Sequence, residues 1–404
     1  MQSSVEVPYH RASIGDEEID EVVRTLKSGW LTTGPRTAQF EQEFAAYADV
    51  PHALAVNSCT SGLHLALAAL NIGPGMEVIT TPLTFCATVN TIIHTGATPV
   101  LADVGPDGNI DPASIAARIT DKTRAIVPVH FAGLPCDMDA IWFLARRHGL
   151  DVIEDCAHAA GSFYQGGHAG AAHPVTGEHS AASVFSFYAV KNLTTGEGGM
   201  VLTHDEEMAS RMKILSLHGI SKNAWNRYAD RGHWRYEVLE SGYKYNMSDI
   251  QASIGIHQLR KLEGFIAART RFAELYNSLL EDVEAVELPA GKPDCRHAWH
   301  LYTLRLNLDR LEIGRDEFIE QLKGRGVGTS VHFIPIPLHP FFAERAKLRQ
   351  NRCPNALDLY PRLISLPLFP AMTEAQVGHV AQAVREIAWK SRKKNWAAMA
   401  AAGD

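Results

Sequence analysis

Lys191 is the residue whose surroundings most favour nucleophilic chemistry. It follows the apolar, β-prone run Ser183–Val190 and precedes the polar, glycine-rich run Asn192–Gly199. Burial disfavours an ammonium ion and lowers the pKa of the amine, as attack of a lysine on an aldehyde requires. The alternative is a surface lysine that only follows a strand. The nearby glycines do not form a Walker loop, because the GxxxxGK[ST] order is absent.

Asp155 ends another apolar segment, Leu150–Asp155, just beyond the carboxyl end of a predicted buried strand. Open α/β sheets place their ligands at that edge. A carboxylate there can pair with a protonated pyridine nitrogen and keep the ring able to accept electrons. Capping of a following helix is the alternative. His158 could reach the same ligand, or it could be an ordinary hydrogen-bonded histidine.

The segment Ser58–Gly62 begins a predicted helix after a strand and could bind phosphate. The backbone amides there, with the hydroxyls of Thr60 and Ser61, lie at the positive end of the helix dipole. Ordinary Ser/Thr capping would explain the same residues. Phe85 could stack on a flat ring, although core packing is the simpler interpretation of a single Phe.

Three histidines raise the question of a metal site. His168, His173 and His179 lie in a Gly/Ala-rich stretch, but their spacing matches no familiar ligand pattern. We therefore expect a solvated loop and no metal.

The elements that position these residues alternate between strand and helix over about two hundred residues. Strands are predicted at 51–56, 77–80, 98–103, 125–129 and 151–154, and helices at 16–28, 60–70, 87–94 and 138–148. This rhythm indicates βαβ units and a largely parallel sheet. After Lys191 the order changes, and a long helix is predicted at 248–273. From about Val283 onward, strands at 299–306 and 328–333 mix with helices at 315–325 and 374–387, which indicates a second, smaller α+β unit.

Length and charge exclude several classes of protein. The 404 residues can bury a large core, and the net charge of -7 provides no basic field for nucleic acid or an anionic membrane. Apolar runs are shorter than a membrane span, and we see no signal peptide. Because the six cysteines form no CxxC pair and lie mostly inside apolar segments, we expect reduced, buried thiols in a cytoplasmic protein.

In their order along the chain, these motifs resemble the DegT/DnrJ/StrS family of nucleotide-sugar aminotransferases. The segments that carry the resemblance are Ser58–Leu70, Ile153–Gly161 and Phe185–Gly199. It covers almost the whole chain, from Ser28 to Pro370. Within the family, the chain resembles the branch that makes UDP-4-amino-4-deoxy-L-arabinose, and the segments that carry this resemblance are Gly242–Ile250, His297–Leu301 and Gly328–Phe333.

The resemblance implies the α/β fold of pyridoxal-phosphate enzymes of fold type I, which is aspartate aminotransferase-like. We expect a large, mostly parallel-sheet domain over residues 1–265, a smaller C-terminal α+β domain over 266–390, and a disordered tail over 391–404. It also implies a homodimer with shared active sites.

The resemblance further implies roles for single residues around pyridoxal 5'-phosphate. Lys191 matches the lysine that forms the Schiff base, Asp155 the partner of the pyridine nitrogen, and His158 the neighbour of the ring. Phe85 matches the aromatic stacked on the ring. The implied phosphate contacts are Thr60, Ser61, Ser186 and, from the second subunit, Asn246. The sugar-nucleotide pocket is expected to include Thr32, Thr33, Gly34 and His332.

The implied reaction is a ping-pong transamination. Glutamate would give up its amino group and leave as 2-oxoglutarate, and a nucleotide-linked keto sugar, by closest resemblance a UDP-4-keto sugar, would receive it. The product could serve lipopolysaccharide, another surface polysaccharide or a secondary metabolite. Two alternatives are a sugar dehydratase and a non-catalytic sensor or regulator, and the pair of Lys191 and Asp155 argues against both. Two departures from the family pattern leave the identity of the substrate open. The stretch 170–180 is longer than the family's usual connection, and Tyr188 stands where relatives often have histidine.

Overall fold

The computed structural model describes residues 6–221, 236–289, 291–345, 348 and 353–393. The strands are β1 (His52–Val56), β2 (Glu77–Thr80), β3 (Thr98–Leu101), β4 (Thr123–Val127), β5 (Asp151–Asp155), β6 (Phe163–Tyr164), β7 (Gly167–His168), β8 (Ala182–Ser186), β9 (Gly199–Thr203), β10 (Val286–Glu287), β11 (Cys295–Arg296), β12 (Tyr302–Leu306) and β13 (Leu363–Leu366). The helices are α1 (Asp16–Ser28), α2 (Pro35–Ala48), α3 (Cys59–Ala69), α4 (Cys86–His94), α5 (Pro112–Ala116), α6 (Met138–His148), α7 (Glu206–Leu215), α8 (Asp249–Leu280), α9 (Arg315–Lys323), α10 (Pro354–Leu359) and α11 (Glu374–Lys390).

A seven-stranded sheet in the order β1-β9-β8-β5-β4-β2-β3 forms the centre of the larger part. Within this sheet β9 runs antiparallel to β1 and β8, and the other neighbours are parallel. The fold class predicted from the sequence, a fold-type-I α/β protein with a mostly parallel sheet, is confirmed.

Both faces of this sheet are covered, which explains why its strands are apolar without strict alternation. On one face, α3 and α7 pack against side chains such as Val56 and Val184. On the other face, α2 and α8 pack against Phe185 and Met200. The sheet is therefore a buried layer inside the larger part of the molecule.

A second sheet, in the order β10-β12-β13, forms the core of the C-terminal part. It packs with α9, α11 and the later half of α8. The helix α8 is continuous over 32 residues and so contributes to both cores. The division at residue 265, which falls inside α8, stays a prediction.

The helix α1 has an unusual orientation. Its buried residues are Glu18, Glu21 and Thr25, whereas the apolar Ile19, Val23 and Leu26 are exposed. The buried carboxylates are paired, for example Glu18 with Lys261 at 2.9 Å. Its apolar face therefore contributes nothing to the core that the described residues form.

Several boundaries agree with the sequence and some do not. The bounds of α1, β2 and α6 match the predicted ones. The strand predicted at 328–333 is wrong, because only single bridges form there, at Val327 and Ser330. Of the tail predicted as disordered, 391–393 are described, with Ser391 buried, and 394–404 lie outside the described residues. Across the described ranges, no helix is both long enough and apolar enough to cross a bilayer.

Candidate functional site

The centre of the candidate site lies where β5 and β8 end side by side at the carboxyl edge of the sheet. Asp155 is the last residue of β5, not the residue beyond it, and it is buried. Its Oδ2 accepts a hydrogen bond from Thr88 Oγ1 at 2.8 Å, and its Oδ1 accepts one from the Ala157 amide at 3.1 Å. No helix follows, so the helix-capping interpretation is wrong. Burial raises the pKa of Asp155, and these hydrogen bonds and the charge of Lys191 oppose that shift.

Lys191 lies five residues beyond the end of β8, in a turn closed by its own amide bonding to the Tyr188 carbonyl at 2.9 Å. Burial lowers the pKa of its amine to about 8, and the interactions with Cys59 and Asp155 oppose the shift. The Nζ atom is 3.5 Å from Nε2 of His300. The interpretation of Lys191 as a surface lysine is therefore wrong.

Three aromatic rings pack together here, and one of them, His300, contacts this amine. The ring of His158 is 4.4 Å from that of His300 and is stacked at 5.7 Å on Phe333. Burial, with the charge of Lys191 as the next cause, holds the pKa of both imidazoles well below the usual range, so both rings are neutral. Within the described ranges, the buried Nδ1 of His158 has no hydrogen-bond partner.

The predicted phosphate residues lie at the start of α3 and the end of β8. Ser58 Oγ accepts the Ser61 amide at 3.1 Å, and Ser61 Oγ accepts the Ser58 amide at 3.2 Å, so the capping interpretation is correct for these two residues. Thr60 is exposed in the first turn. Ser186 pairs with Gly199 on β9, and a Cβ on Gly199 would lie 2.8 Å from the Cys59 amide. The strand end and the helix start are thus in close contact.

Phe85 and His332 both reach this centre through Phe333. The Phe85 ring is 6.2 Å from Phe333 and 60% exposed, so the core-packing interpretation is wrong. His332 contacts Phe333 at 4.9 Å, and its Nδ1 lies 2.8 Å from Ser365 Oγ. Burial lowers the pKa of His332 to about 4, with the Lys191 charge acting in the same direction.

The remaining predicted residues form a separate group. The Thr33 hydroxyl accepts from Asn246 Nδ2 at 2.7 Å, the Gly34 amide donates to Asp249, and the Thr32 carbonyl accepts the Asp249 amide. This group, defined here as the turn cluster (Thr32, Thr33, Gly34 and Asn246), lies beyond β1. Asn246 bridges Val56, Val56 pairs with Gly199, and Gly199 pairs with Ser186. Three strand spacings, about 14 Å, therefore separate Asn246 from Ser186.

Three residues of the site were not predicted from the sequence. Thr88 holds Asp155, His300 faces Lys191, and Asn192 Oδ1 lies 3.3 Å from His300 Nδ1. Asn192 follows the lysine directly, and Thr88 lies three residues after Phe85 on α4, so proximity in sequence was an available signal. His300 is more than a hundred residues away, and only the fold brings it to the lysine.

The three histidines of the Gly/Ala-rich stretch do not converge. His168 packs on Phe163, His173 lies against Trp142, and His179 lies against His204. His168 is half-buried in β7 rather than in a solvated loop. In the described part of the chain, one group could hold a metal, namely His130, Glu154 and Cys156. There, His130 and Glu154 already bond to each other at 2.8 Å.

A lysine of lowered pKa and a buried aspartate, at the carboxyl edge of a mostly parallel sheet, are the arrangement expected in a pyridoxal-phosphate enzyme of fold type I. Comparison with known proteins agrees. The chain belongs to the DegT/DnrJ/EryC1/StrS aminotransferase family, whose model matches residues 12–385.

Individual relatives indicate the kind of substrate on which this aminotransferase acts. The spore coat polysaccharide biosynthesis protein SpsC of Bacillus subtilis is 50% identical over 383 residues, 94% of this chain and 97% of that protein. The structure of Spr1654 from Streptococcus pneumoniae, assigned as a sugar aminotransferase and solved in its PMP-form, superposes with a TM-score of 0.88 at 32% identity, covering 95% and 99% of the two chains. Helicobacter pylori PseC, an aminotransferase involved in the biosynthesis of pseudoaminic acid, superposes with a TM-score of 0.86 at 31% identity, covering 96% and 100%. The protein is therefore a pyridoxal-phosphate-dependent sugar aminotransferase, as the sequence predicted.

Proposed function

We propose that this aminotransferase moves the amino group of glutamate to a nucleotide-linked 4-keto sugar, with UDP as the nucleotide. The observation that carries the proposal is the convergence of Lys191, Asp155 and His158 at the end of β5 and β8, within a family of sugar aminotransferases. The donor, the nucleotide and the carbon that is aminated rest on the sequence resemblance.

The residues present fit pyridoxal phosphate. Asp155 is a buried carboxylate whose pKa is raised by burial, and a cationic ring nitrogen beside it would reverse that shift. The unpartnered Nδ1 of His158 and the exposed ring of Phe85 are both suited to a flat polar ligand. The start of α3 presents backbone amides at the positive end of its dipole for a phosphate. We therefore assign the ring to Asp155, His158 and Phe85, and the phosphate to Thr60, Ser61 and Ser186.

When bound, the cofactor supplies an aldehyde that accepts the amino group and a ring that stabilises a neighbouring carbanion. Lys191 would anchor it covalently, and the amine, once released, would be able to take and return a proton because burial lowers its pKa to about 8. The carboxylate of Asp155, held in place by Thr88 and Ala157, would keep the ring nitrogen protonated through its negative charge. His158 stays neutral, so it does not compete for the ring charge.

A second copy of the chain would complete the site. The turn cluster is expected to bind sugar-nucleotide and phosphate, yet about 14 Å separates Asn246 from Ser186 of the same chain. The exposed apolar face of α1 leads directly into Trp30 and Leu31, which are also exposed and precede the turn cluster. An apolar patch of this kind is typical of a protein interface. We infer a homodimer in which the turn cluster of one subunit faces the Lys191 group of the other.

The reaction is tested by absorbance of the cofactor-loaded protein. Glutamate alone should convert the cofactor to its amino form and release 2-oxoglutarate, and a UDP-4-keto sugar should then restore the first spectrum. Aspartate, alanine and glutamine test the donor, and dTDP- and GDP-linked keto sugars test the nucleotide. A response to another donor or nucleotide alone would overturn that part of the proposal. Lys191→Ala should abolish turnover, whereas Lys323→Ala, an exposed lysine on α9, should not.

The shared site is tested by mixing two inactive variants. Lys191→Ala lacks the covalent anchor, and Asn246→Ala lacks the contact expected from the second subunit. After unfolding and refolding together, heterodimers contain one intact site, so a twofold assembly should recover about a quarter of the wild-type activity. Refolding each variant by itself is the control. A mixture as inactive as its components would show that each chain builds its own site.

Some expectations stay predictions from the sequence. They are the role of the product in lipopolysaccharide, the cytoplasmic location and the absence of nucleic-acid and membrane partners. The family and the structural neighbours favour neither the sugar dehydratase nor the sensor that the sequence left open.

A further inference from the structure

We propose that Nε2 of His300 is the acceptor that holds the Lys191 amine whenever that amine is not bonded to the cofactor, and that Asn192 selects the imidazole tautomer that makes this possible. The inference rests on the anchoring role proposed for Lys191. It deepens that role by naming the groups that keep the released amine in place between its two tasks.

Two backbone carbonyls fix the orientation of the Asn192 amide. Its Nδ2 donates to the Ala298 carbonyl at 2.8 Å and to the Ala160 carbonyl at 3.3 Å. Since both amide hydrogens are engaged by backbone acceptors, the amide cannot rotate by half a turn without losing both bonds. The Oδ1 atom is therefore the one that faces His300.

The orientation of the Asn192 amide in turn determines the tautomer of His300. Its Nδ1 lies 3.3 Å from Asn192 Oδ1, which can only accept, so Nδ1 must carry the proton. Burial keeps the ring neutral, and the charges of Lys191 and Arg269 and the neighbouring His158 and His332 rings act in the same direction. The lone pair of Nε2 is consequently left to face Lys191 Nζ at 3.5 Å.

Hydrogen bonds on both sides hold the backbone that carries His300 in place. Nη1 of the buried Arg269 donates to the carbonyls of Trp299, His300 and Leu368 at 3.1, 3.4 and 2.8 Å. On the other side, the Leu301 amide donates to the Ala132 carbonyl at 3.2 Å. The imidazole is thus a fixed point against which a flexible lysine side chain can return, and we regard His300 as a positioning residue.

The tautomer can be measured without any substitution. The ¹⁵N spectrum of histidine-labelled, cofactor-free wild-type protein should show His300 protonated at Nδ1 and bare at Nε2, with the signal assigned by its loss in His300→Gln. A resonance showing Nε2 protonated would overturn the proposal, because that ring would have no acceptor to offer the amine.

The effect on the amine is measured in cofactor-free protein by competitive labelling of Lys191 with acetic anhydride across pH, read by mass spectrometry. His300→Phe removes the acceptor and should lower the protonation constant of Lys191 about tenfold, since a charge-assisted hydrogen bond to the ammonium is lost. His300→Gln can place a carbonyl oxygen near the position of Nε2 and should restore most of the wild-type profile. If both variants label like wild type, His300 does not hold the amine.

His297→Phe is the matched control. His297 is buried in the same segment, stacks on Trp299 at 4.0 Å, and its Nδ1 accepts the Trp299 amide at 2.8 Å. The His297→Phe variant should leave the pH profile of Lys191 labelling unchanged. An equal shift in this variant would assign the effect to packing of the segment and overturn the specific role of His300.

In cofactor-loaded protein, His300→Phe should retain the cofactor but slow the glutamate half-reaction more than tenfold, with a larger α-deuterium isotope effect than wild type. An unchanged rate and isotope effect would contradict the proposal. If wild type itself does not respond to glutamate, the proposed donor is wrong. The labelling result then still decides the role of His300, because it requires neither donor nor sugar.

Discussion

The outward-facing apolar side of α1 leads to a prediction about assembly, with Val23→Glu as the perturbation. Val23 is 40% exposed and lies between Ile19 and Leu26, which are 53% and 51% exposed. Full burial of such a side chain contributes about 1.5–3 kcal/mol, so covering the exposed half of all three in two subunits would contribute about 5–9 kcal/mol to dimerisation. The face is thus large enough to matter and small enough to be disrupted by one charge.

A glutamate at position 23 removes the contribution of the valine and places a carboxylate in the interface of both subunits. At about 2 kcal/mol for each poorly paired polar group, two copies cost about 4 kcal/mol, which weakens association almost a thousandfold. The monomer should remain folded, because the site is exposed in its own chain and glutamate is a good helix former.

The assay is sedimentation or light scattering over a range of concentrations, together with activity. A monomer has a mass of 44.3 kDa. Val23→Glu should shift the mass toward that value and lose activity in parallel, and activity should return at high protein concentration. Val175→Glu, at an apolar residue that is 86% exposed elsewhere, is the control and should change neither. A fully dimeric Val23→Glu protein with normal activity would refute the reasoning.

Three further predictions concern the centre of the site and its support. Thr88→Val removes a hydrogen bond of 2.8 Å from a buried carboxylate, so the pKa of Asp155 should rise further and cofactor affinity should fall about tenfold, as equilibrium dialysis can measure; unchanged affinity would mean that Thr88 does not support Asp155. Because burial lowers the pKa of Lys191 to about 8, the rate of covalent cofactor capture by apo-protein should rise with pH up to about 8 and then level off, whereas a rise continuing to pH 10 would show an ordinary lysine. Gly133 has a φ of +93°, and a Cβ there would lie 2.8 Å from the His158 carbonyl, so Gly133→Ala should destabilise the protein by about 3 kcal/mol in urea unfolding. The control Gly149→Ala, at a φ of +63° with open space around it, should cost about 1 kcal/mol. Equal losses in the two variants would show that the clash is unimportant.

Much of the larger part could be predicted because its signals are local. The end of α1 at Ser28 and the short apolar strands separated by helices depend on neighbouring residues, and both appear in the structure. Strand 299–306 starts only at Tyr302, because Trp299 adopts a φ of +47° and its carbonyl accepts from Arg269 instead of joining the sheet. A buried arginine from another helix is not visible in a local pattern.

The candidate site likewise contains residues that local sequence patterns predict and residues that only the fold brings together. Lys191 and Asp155 could be singled out because each follows an apolar strand, and parallel strands end at a common edge. The outward orientation of α1 could not be read from its periodicity, since an apolar stripe is the same whether it meets its own core or a second chain. His300 was missed because its role depends on a fold-dependent contact with a residue 109 positions away.

The continuous helix α8 has a consequence for motion within the molecule. At 1.5 Å per residue its 32 residues form a strut of about 48 Å, with no proline at which it could bend. Its earlier half is embedded beside β8, and Arg269 in its later half ties down the loop before β12. Rotating the C-terminal part about a hinge would have to bend this strut. The continuous helix therefore resists closure of the two parts about a hinge and favours a geometry around the lysine that is already formed when the chain folds.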